Sequence, residues 1–128
     1  MDLEEIKKVA FEIRKKFESK QVDKEELKEL YLAYHDVCCM DDFLEQAEKI
    51  FPRLNCGLTS VYLQKVLRRG EIIKGYYENN PHTFLLIDNL HIVDITADQY
   101  QGPEVYVGPL TSPWSLNLNY LESKKVLL

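Results

Sequence analysis

Cysteine is scarce in this 128-residue chain: there are three, and two of them, Cys38 and Cys39, are adjacent. An odd count with that spacing offers no disulfide framework, so free thiols in a reducing compartment are expected. Glycine and proline are sparse too, at five each, which excludes collagen-like and low-complexity chains. Long apolar runs are missing. None approaches the roughly 18 residues of a membrane span, and the stretch from Met1 to Lys8 has no signal-like apolar core. A cytoplasmic protein without a membrane partner is the expectation. Positive charge is also in deficit, with 16 Lys and Arg against 21 Asp and Glu for a net charge of −5. The deficit is local: residues 1–50 carry 14 acids and 9 bases, whereas residues 51–128 carry seven of each. A phosphate backbone needs a cationic surface, so nucleic acid is not an expected partner. Glycine-rich phosphate loops are absent, and no cofactor is expected.

What remains is a globular composition, 45% hydrophobic and 29% charged, in a length that suits one domain. The pattern divides near residue 55. Leu3, Ile6, Ala10, Ile13 and Phe17 recur at spacings of three and four, the stripe of an amphipathic helix. Asp23 with Glu26 makes a capping-box-like start for a second helix, with its stripe on Leu27, Leu30, Tyr31, Tyr34 and Cys38. Asp42 with Glu45 repeats the signal for a short third helix that Pro52 stops. A fourth helix is predicted from Cys56, with Asn55 as its N-cap and Gly70 past its end. Beyond it, Ile72–Tyr77, Thr83–Ile87, Leu90–Ile95 and Val105–Val107 read as strands separated by turn residues. Short connections imply antiparallel neighbours. Helices followed by strands give an α+β domain over 1–128, a helical layer (1–54) on a helix plus antiparallel sheet (55–128).

Of the three thiols, Cys56 stands out on electrostatics. It falls in the first turn of its helix, where free N–H groups and the macrodipole favour a thiolate. Cys38 and Cys39 are expected at the far, negative end of the second helix beside Asp41 and Asp42, where ionisation is disfavoured. A thiolate that attacks a carbonyl needs a His to handle its proton and a third group to hold the imidazole. His82 opens one predicted strand and Asp94 closes the next, across a turn at Asp88-Asn89. Register decides whether they meet. A two-residue loop sends their side chains to opposite faces. A three-residue loop, or a bulge, puts them opposite or one diagonal step apart on one face.

Asn55-Cys56-Gly57-Leu58-Thr59-Ser60 at a helix start, His82-Thr83-Phe84 on a strand and Val93-Asp94-Ile95-Thr96-Ala97-Asp98-Gln99-Tyr100 together resemble the transglutaminase-like branch of the papain-like cysteine-enzyme superfamily. The resemblance spans about residues 53–108 and is most specific in Asp-x-Thr-Ala-Asp-Gln-aromatic, a segment found in many bacterial members. It implies a papain-like α+β fold with Cys56 as nucleophile, His82 as general base and acid, and Asp94 as the residue that orients His82. The implied activity is that of a cofactor-independent thiol hydrolase or acyl transferase (protease, deamidase, amidase or transglutaminase-like). Its substrate would be an amide or acyl group of a protein or peptide. The chain departs from the pattern in having Gly57 beside the cysteine, Thr83-Phe84 after the histidine and no Gln just before Cys56. The oxyanion donors are then expected to be the Cys56 N–H with the side chain of Asn55 or Gln99.

Other groups are read more plainly. His35, Cys38 and Cys39 have the i, i+3, i+4 spacing of a metal-binding helix face but are too few for zinc, and no metal is expected. His91 is expected to pack or reach solvent, and Asp98 and Gln99 to hold the turn after Asp94 by bonding backbone groups. Tyr76, Tyr77, Tyr100, Tyr106 and Trp114 read mostly as core, with one or two lining a groove. The alternative to an enzyme is a protein-binding module on the same fold with an idle triad.

Overall fold

The computed structural model describes residues 1–117; residues 118–128, the end of the expected sheet region, lie outside the described residues. Helix α1 (Leu3–Glu18) is capped by Asp2, whose carboxylate accepts from the Glu5 N–H at 2.9 Å, and it buries Ile6, Ala10, Ile13 and Phe17. Leu3, counted in the predicted stripe, is exposed. Helix α2 (Lys24–Tyr34) begins where the Asp23–Glu26 spacing puts it, the Asp23 carboxylate accepting from the N–H groups of Glu25 and Glu26. It ends sooner than its stripe implied. The backbone of His35 is extended, so Cys38 and Cys39 stand exposed in the connection after α2 rather than on its last turn. The helical spacing of His35, Cys38 and Cys39 is therefore lost. Helix α3 (Met40–Ile50) starts ahead of Asp42. Cys39 takes the N-cap position in a left-handed conformation (φ 59°), and Asp41 and Asp42 occupy the first turn, where the dipole favours acids. Helix α4 (Cys56–Leu67) begins at the predicted residue, and Gly70 follows with φ +98°.

Five strands, β1 (Glu71–Tyr77), β2 (Asn80–Ile87), β3 (His91–Asp94), β4 (Tyr106–Pro109) and β5 (Trp114–Ser115), make one antiparallel sheet in the order β4-β3-β2-β1-β5. The fifth strand gave no signal in the sequence because it is two residues long. Pro81 lies within β2 rather than in the preceding turn. It is tolerated because β3 pairs only with Leu85–Ile87, and the first half of β2 needs no N–H on that side.

The sheet is covered on both faces. Helix α4 packs on β1, β2 and β3, and α1 on β3 and β4; α2 packs on α4 and α3 on α2. Leu85, Ile87, Val93 and Ile95 meet the helices in the larger core. On the other face Ile73, Phe84, Leu86 and Ile92 pack with Tyr77, Ala97 and Trp114 as the sheet curls over itself. Two buried faces explain why Phe84, Leu85, Leu86 and Ile87 form an unbroken apolar run instead of alternating.

Gly75 faces His82 across β1 and β2, and a Cβ there would stand 2.4 Å from the carbonyl oxygen of Ser115 and 3.0 Å from the Phe84 ring. Backbone cannot yield as a side-chain tip can, so a methyl group must push β5 off β1. Gly75→Ala is expected to cost about 1–3 kcal/mol, read as a lower urea midpoint at unchanged slope. An unchanged midpoint would mean that β5 is not held against β1 in solution.

Candidate active site

The turn between β2 and β3 sets the site. Asp88 (φ 54°) and Asn89 (φ 58°) both take left-handed backbone, and the Leu90 N–H closes the turn on the Ile87 carbonyl at 3.0 Å. Ile87 nevertheless pairs with His91, which leaves Leu90 as the extra residue of a three-residue loop, 62% exposed. Carried along the ladder, this register sets Asp94 across from Phe84, one diagonal step from His82 on the same face.

The two side chains meet there. His82 Nε2 is 2.6 Å from Asp94 Oδ2, and each residue is 2% exposed. A buried carboxylate needs donors on every side. The Thr96 N–H donates to Asp94 Oδ1 at 2.9 Å, and the Thr96 hydroxyl lies 3.4 Å from the same oxygen. The indole N–H of Trp114 donates to Oδ2 at 2.8 Å. The sequence placed Trp114 among aromatics that are mostly core, with one or two lining a groove. Its signal was indirect: a buried indole needs an acceptor, but nothing in the spacing pointed to Asp94.

Cys56, half-buried at the start of α4, meets β2 at His82 and Thr83, in the stretch that β3 leaves unpaired. Burial alone would raise the thiol pKa. The hydrogen bond and charge of His82, with the Thr83 N–H and hydroxyl, outweigh it and bring the thiol below its ordinary value. Burial alone would lower His82, but its bonds to Asp94 and Cys56 push it up to about 9. The two shifts run in opposite directions, and both favour the charged forms, thiolate and imidazolium. Nε2 serves Asp94, so Nδ1, which the Gln99 side-chain amide approaches, is the ring's other exchangeable nitrogen.

The supporting residues divide. The Asn55 amide donates both its N–H groups to backbone, to Ala47 at 2.9 Å and Arg53 at 2.7 Å, so it neither caps α4 nor has a donor to offer an oxyanion. The Gln99 side-chain amide stands 3.3 Å from His82 Nδ1, on a 3₁₀ turn (Ala97–Tyr100) that follows Asp94. Asp98 bonds a side chain, not the backbone groups expected for it. Arg14 of α1, 6% exposed, holds it through two bonds of 2.7 and 2.9 Å and also donates to the Ile95 carbonyl at 2.8 Å. Arg14 was missed because its partner lies 84 positions away.

Two clefts meet at Cys56. One, of about 310 Å³, is walled by Tyr31, Tyr34, Phe43 and Tyr100 with Gln99. The other, of about 420 Å³, runs along Gly75, Tyr76 and Pro81; Lys74 and Thr83 line both. Gly57 has a reason in this arrangement. A Cβ on it would come within 2.9 Å of the Tyr31 ring, so its bareness lets α2 close over the first turn of α4.

Compared with known protein families, curated proteins and solved structures, the chain matches none. No helix among the described residues is long and apolar enough to cross a membrane.

Trp114→Phe removes the indole donor and keeps the ring. Because a hydrogen bond to a charged group contributes about 1.5–3 kcal/mol, urea unfolding should show a loss of that order. A variant as stable as the wild type would mean that the Trp114 N–H does not serve Asp94.

Proposed function

We propose that this chain is a papain-like, transglutaminase-like thiol enzyme that needs no cofactor and acts on an amide or related acyl group of a protein or peptide. The observation that carries the reading is one buried constellation: a cysteine with a lowered pKa at a helix start, a histidine with a raised one, and a carboxylate fixing the histidine's far nitrogen. The chain order, Cys56 on a helix and then His82 and Asp94 on adjacent antiparallel strands, agrees with the resemblance to that superfamily. A cytoplasmic location is part of the proposal, because a reducing compartment keeps three free thiols reduced.

The steps start from the thiolate–imidazolium pair that the opposite shifts of Cys56 and His82 favour. The Cys56 thiolate attacks the acyl carbon, a C–S bond forms, and the carbonyl oxygen becomes an oxyanion. The Cys56 N–H, which has no carbonyl to bond in the first turn of its helix, faces that oxygen, with Gln99 as the side-chain donor. The imidazolium passes its Nδ1 proton to the leaving amine as the C–N bond breaks, leaving a thioester. Neutral His82 then takes a proton from water or from an acceptor amine, whose attack breaks the C–S bond and restores the thiolate. Hydrolysis and acyl transfer share all but the last nucleophile.

The test does not need the substrate. An ordinary thiol, with a pKa near 8.5, is well under 1% ionised at pH 6. Cys56 should therefore react with iodoacetamide at pH 6 much faster than Cys38 or Cys39. In His82→Ala its rate should fall by about tenfold or more at pH 6 and change little at pH 9, the signature of roughly one lost pKa unit. Asp94→Asn should give a smaller fall. Equal labelling of wild type and His82→Ala at pH 6 would overturn the enzyme and leave a binding module.

The pH profiles of the two reactions should also separate. Alkylation needs only the thiolate and persists in alkali. Acylation by an amide needs the imidazolium proton as well. It should decline as pH rises through about 9, where His82 deprotonates. Acylation that keeps rising past that point would show that His82 is not the acid.

A further inference from the structure

Neither cleft at Cys56 is lined by a carboxylate, although the chain has 21 acidic residues and a net charge of −5. The one Lys or Arg on the lining is Lys74, and it lines both clefts. Lys74 pairs with Thr83 across β1 and β2, and Thr83 lines both clefts together with Cys56. Cross-strand partners hold their Cβ atoms about 4.5–5.5 Å apart, so this cation is rooted beside the reacting atoms. Its ammonium lies 5.5 Å from the centroid of the Tyr34 ring. Among the described residues no carboxylate forms an ion pair with it. Nor is it among the groups that lower the Cys56 pKa, which are His82 and Thr83. Beyond the Tyr34 ring, its charge is thus paired with no carboxylate of the described residues and is not committed to the nucleophile.

Building on the thiol chemistry above, we infer that the substrate is an acidic peptide segment, with an Asp or Glu side chain beside the reacting acyl group paired to Lys74. The carboxylate belongs to a side chain rather than a chain end because two clefts with different walls meet at Cys56, one toward Tyr31 and Phe43 and one toward Tyr76 and Pro81, giving the segment two stretches to occupy. Aromatic rings of the smaller cleft, Tyr31 and Phe43, stack on one another at 5.6 Å and offer a flat apolar surface to the residues that follow. Acidic side chains are repelled from most of the helical layer, which carries the chain's excess negative charge, and find their one partner at the junction.

Peptidyl ketone electrophiles that differ only in having Glu, Gln or Lys next to the ketone test this, the readout being the rate of covalent labelling at Cys56. The wild type should prefer Glu over Gln by about fivefold, the upper end for a partly exposed ion pair, with Lys slowest, and high salt should shrink the preference. Lys74→Arg should keep it, Lys74→Met should abolish it and Lys74→Glu should reverse it, each variant being checked for an unchanged thermal melt. Equal rates for the three probes on wild type, or a preference that survives in Lys74→Met, would overturn the inference. If Cys56 still shows His82-dependent alkylation in that case, only the substrate class has failed. If that dependence is also missing, the thiol chemistry itself has failed, and the acidic substrate with it.

Discussion

A carboxylate and an imidazole share one buried spot, and much of the molecule can be read as the consequence. Asp94 and His82 are each 2% exposed and 2.6 Å apart, in surroundings where an unpaired charge would cost several kcal/mol. The carboxylate is satisfied by a local donor, the Thr96 N–H two residues on, and by a distant one, the Trp114 indole. The second requires β5, β5 requires Ser115 to approach β1 at Gly75, and Trp114 in turn stacks on Tyr106 at 4.0 Å in the smaller core. The curl of the sheet is what brings these donors round the pair.

The helical layer is part of the site as well as its support. Arg14 of α1 reaches across to Asp98 and the Ile95 carbonyl, fixing the 3₁₀ turn whose next residue, Gln99, stands against His82. Tyr31 and Tyr34 of α2 and Phe43 of α3 form the wall of one cleft. Burial, and then the charge of Cys56, hold the Tyr31 and Tyr100 hydroxyls above the ordinary phenol range, and the Tyr100 hydroxyl donates to the Pro81 carbonyl at 3.0 Å. Residues 1–54, almost all of them outside the stretch that carries the family resemblance, thus supply a buried clamp and most of an aromatic wall.

Some of this was legible in the sequence. Apolar spacing located α1, the Asp23 cap with its stripe located α2, Asn55 and Gly70 located α4, and turn residues located four of the five strands, because these signals act within a few residues. Cys56 at the start of α4 followed from the same local logic. The errors share a cause. The α2 stripe ran on to Cys38 because periodicity does not say where the backbone turns extended, and Asn55 looked like an oxyanion donor until the Ala47 and Arg53 carbonyls took its amide. Asp98 looked like a turn residue because its real partner is on another helix.

The sequence alone determined the residue types that can do nucleophilic chemistry, their order along the chain and the condition for their meeting, a loop of odd length between β2 and β3. It could not choose the loop, since Asp88-Asn89 serves a two-residue turn as readily as a turn plus one bulged residue. Tertiary structure chose. With Leu90 left outside the ladder, Ile87 and Val93 face the helices while Phe84 and Ile92 face the curl, and Asp94 falls on the His82 side. The alternative register would have turned every side chain of β3 over and buried Asp94 against Leu85 and Ile87, where an uncompensated carboxylate has no donors. Packing on two faces, a long-range demand that no short window of sequence contains, is what fixed the geometry of the site.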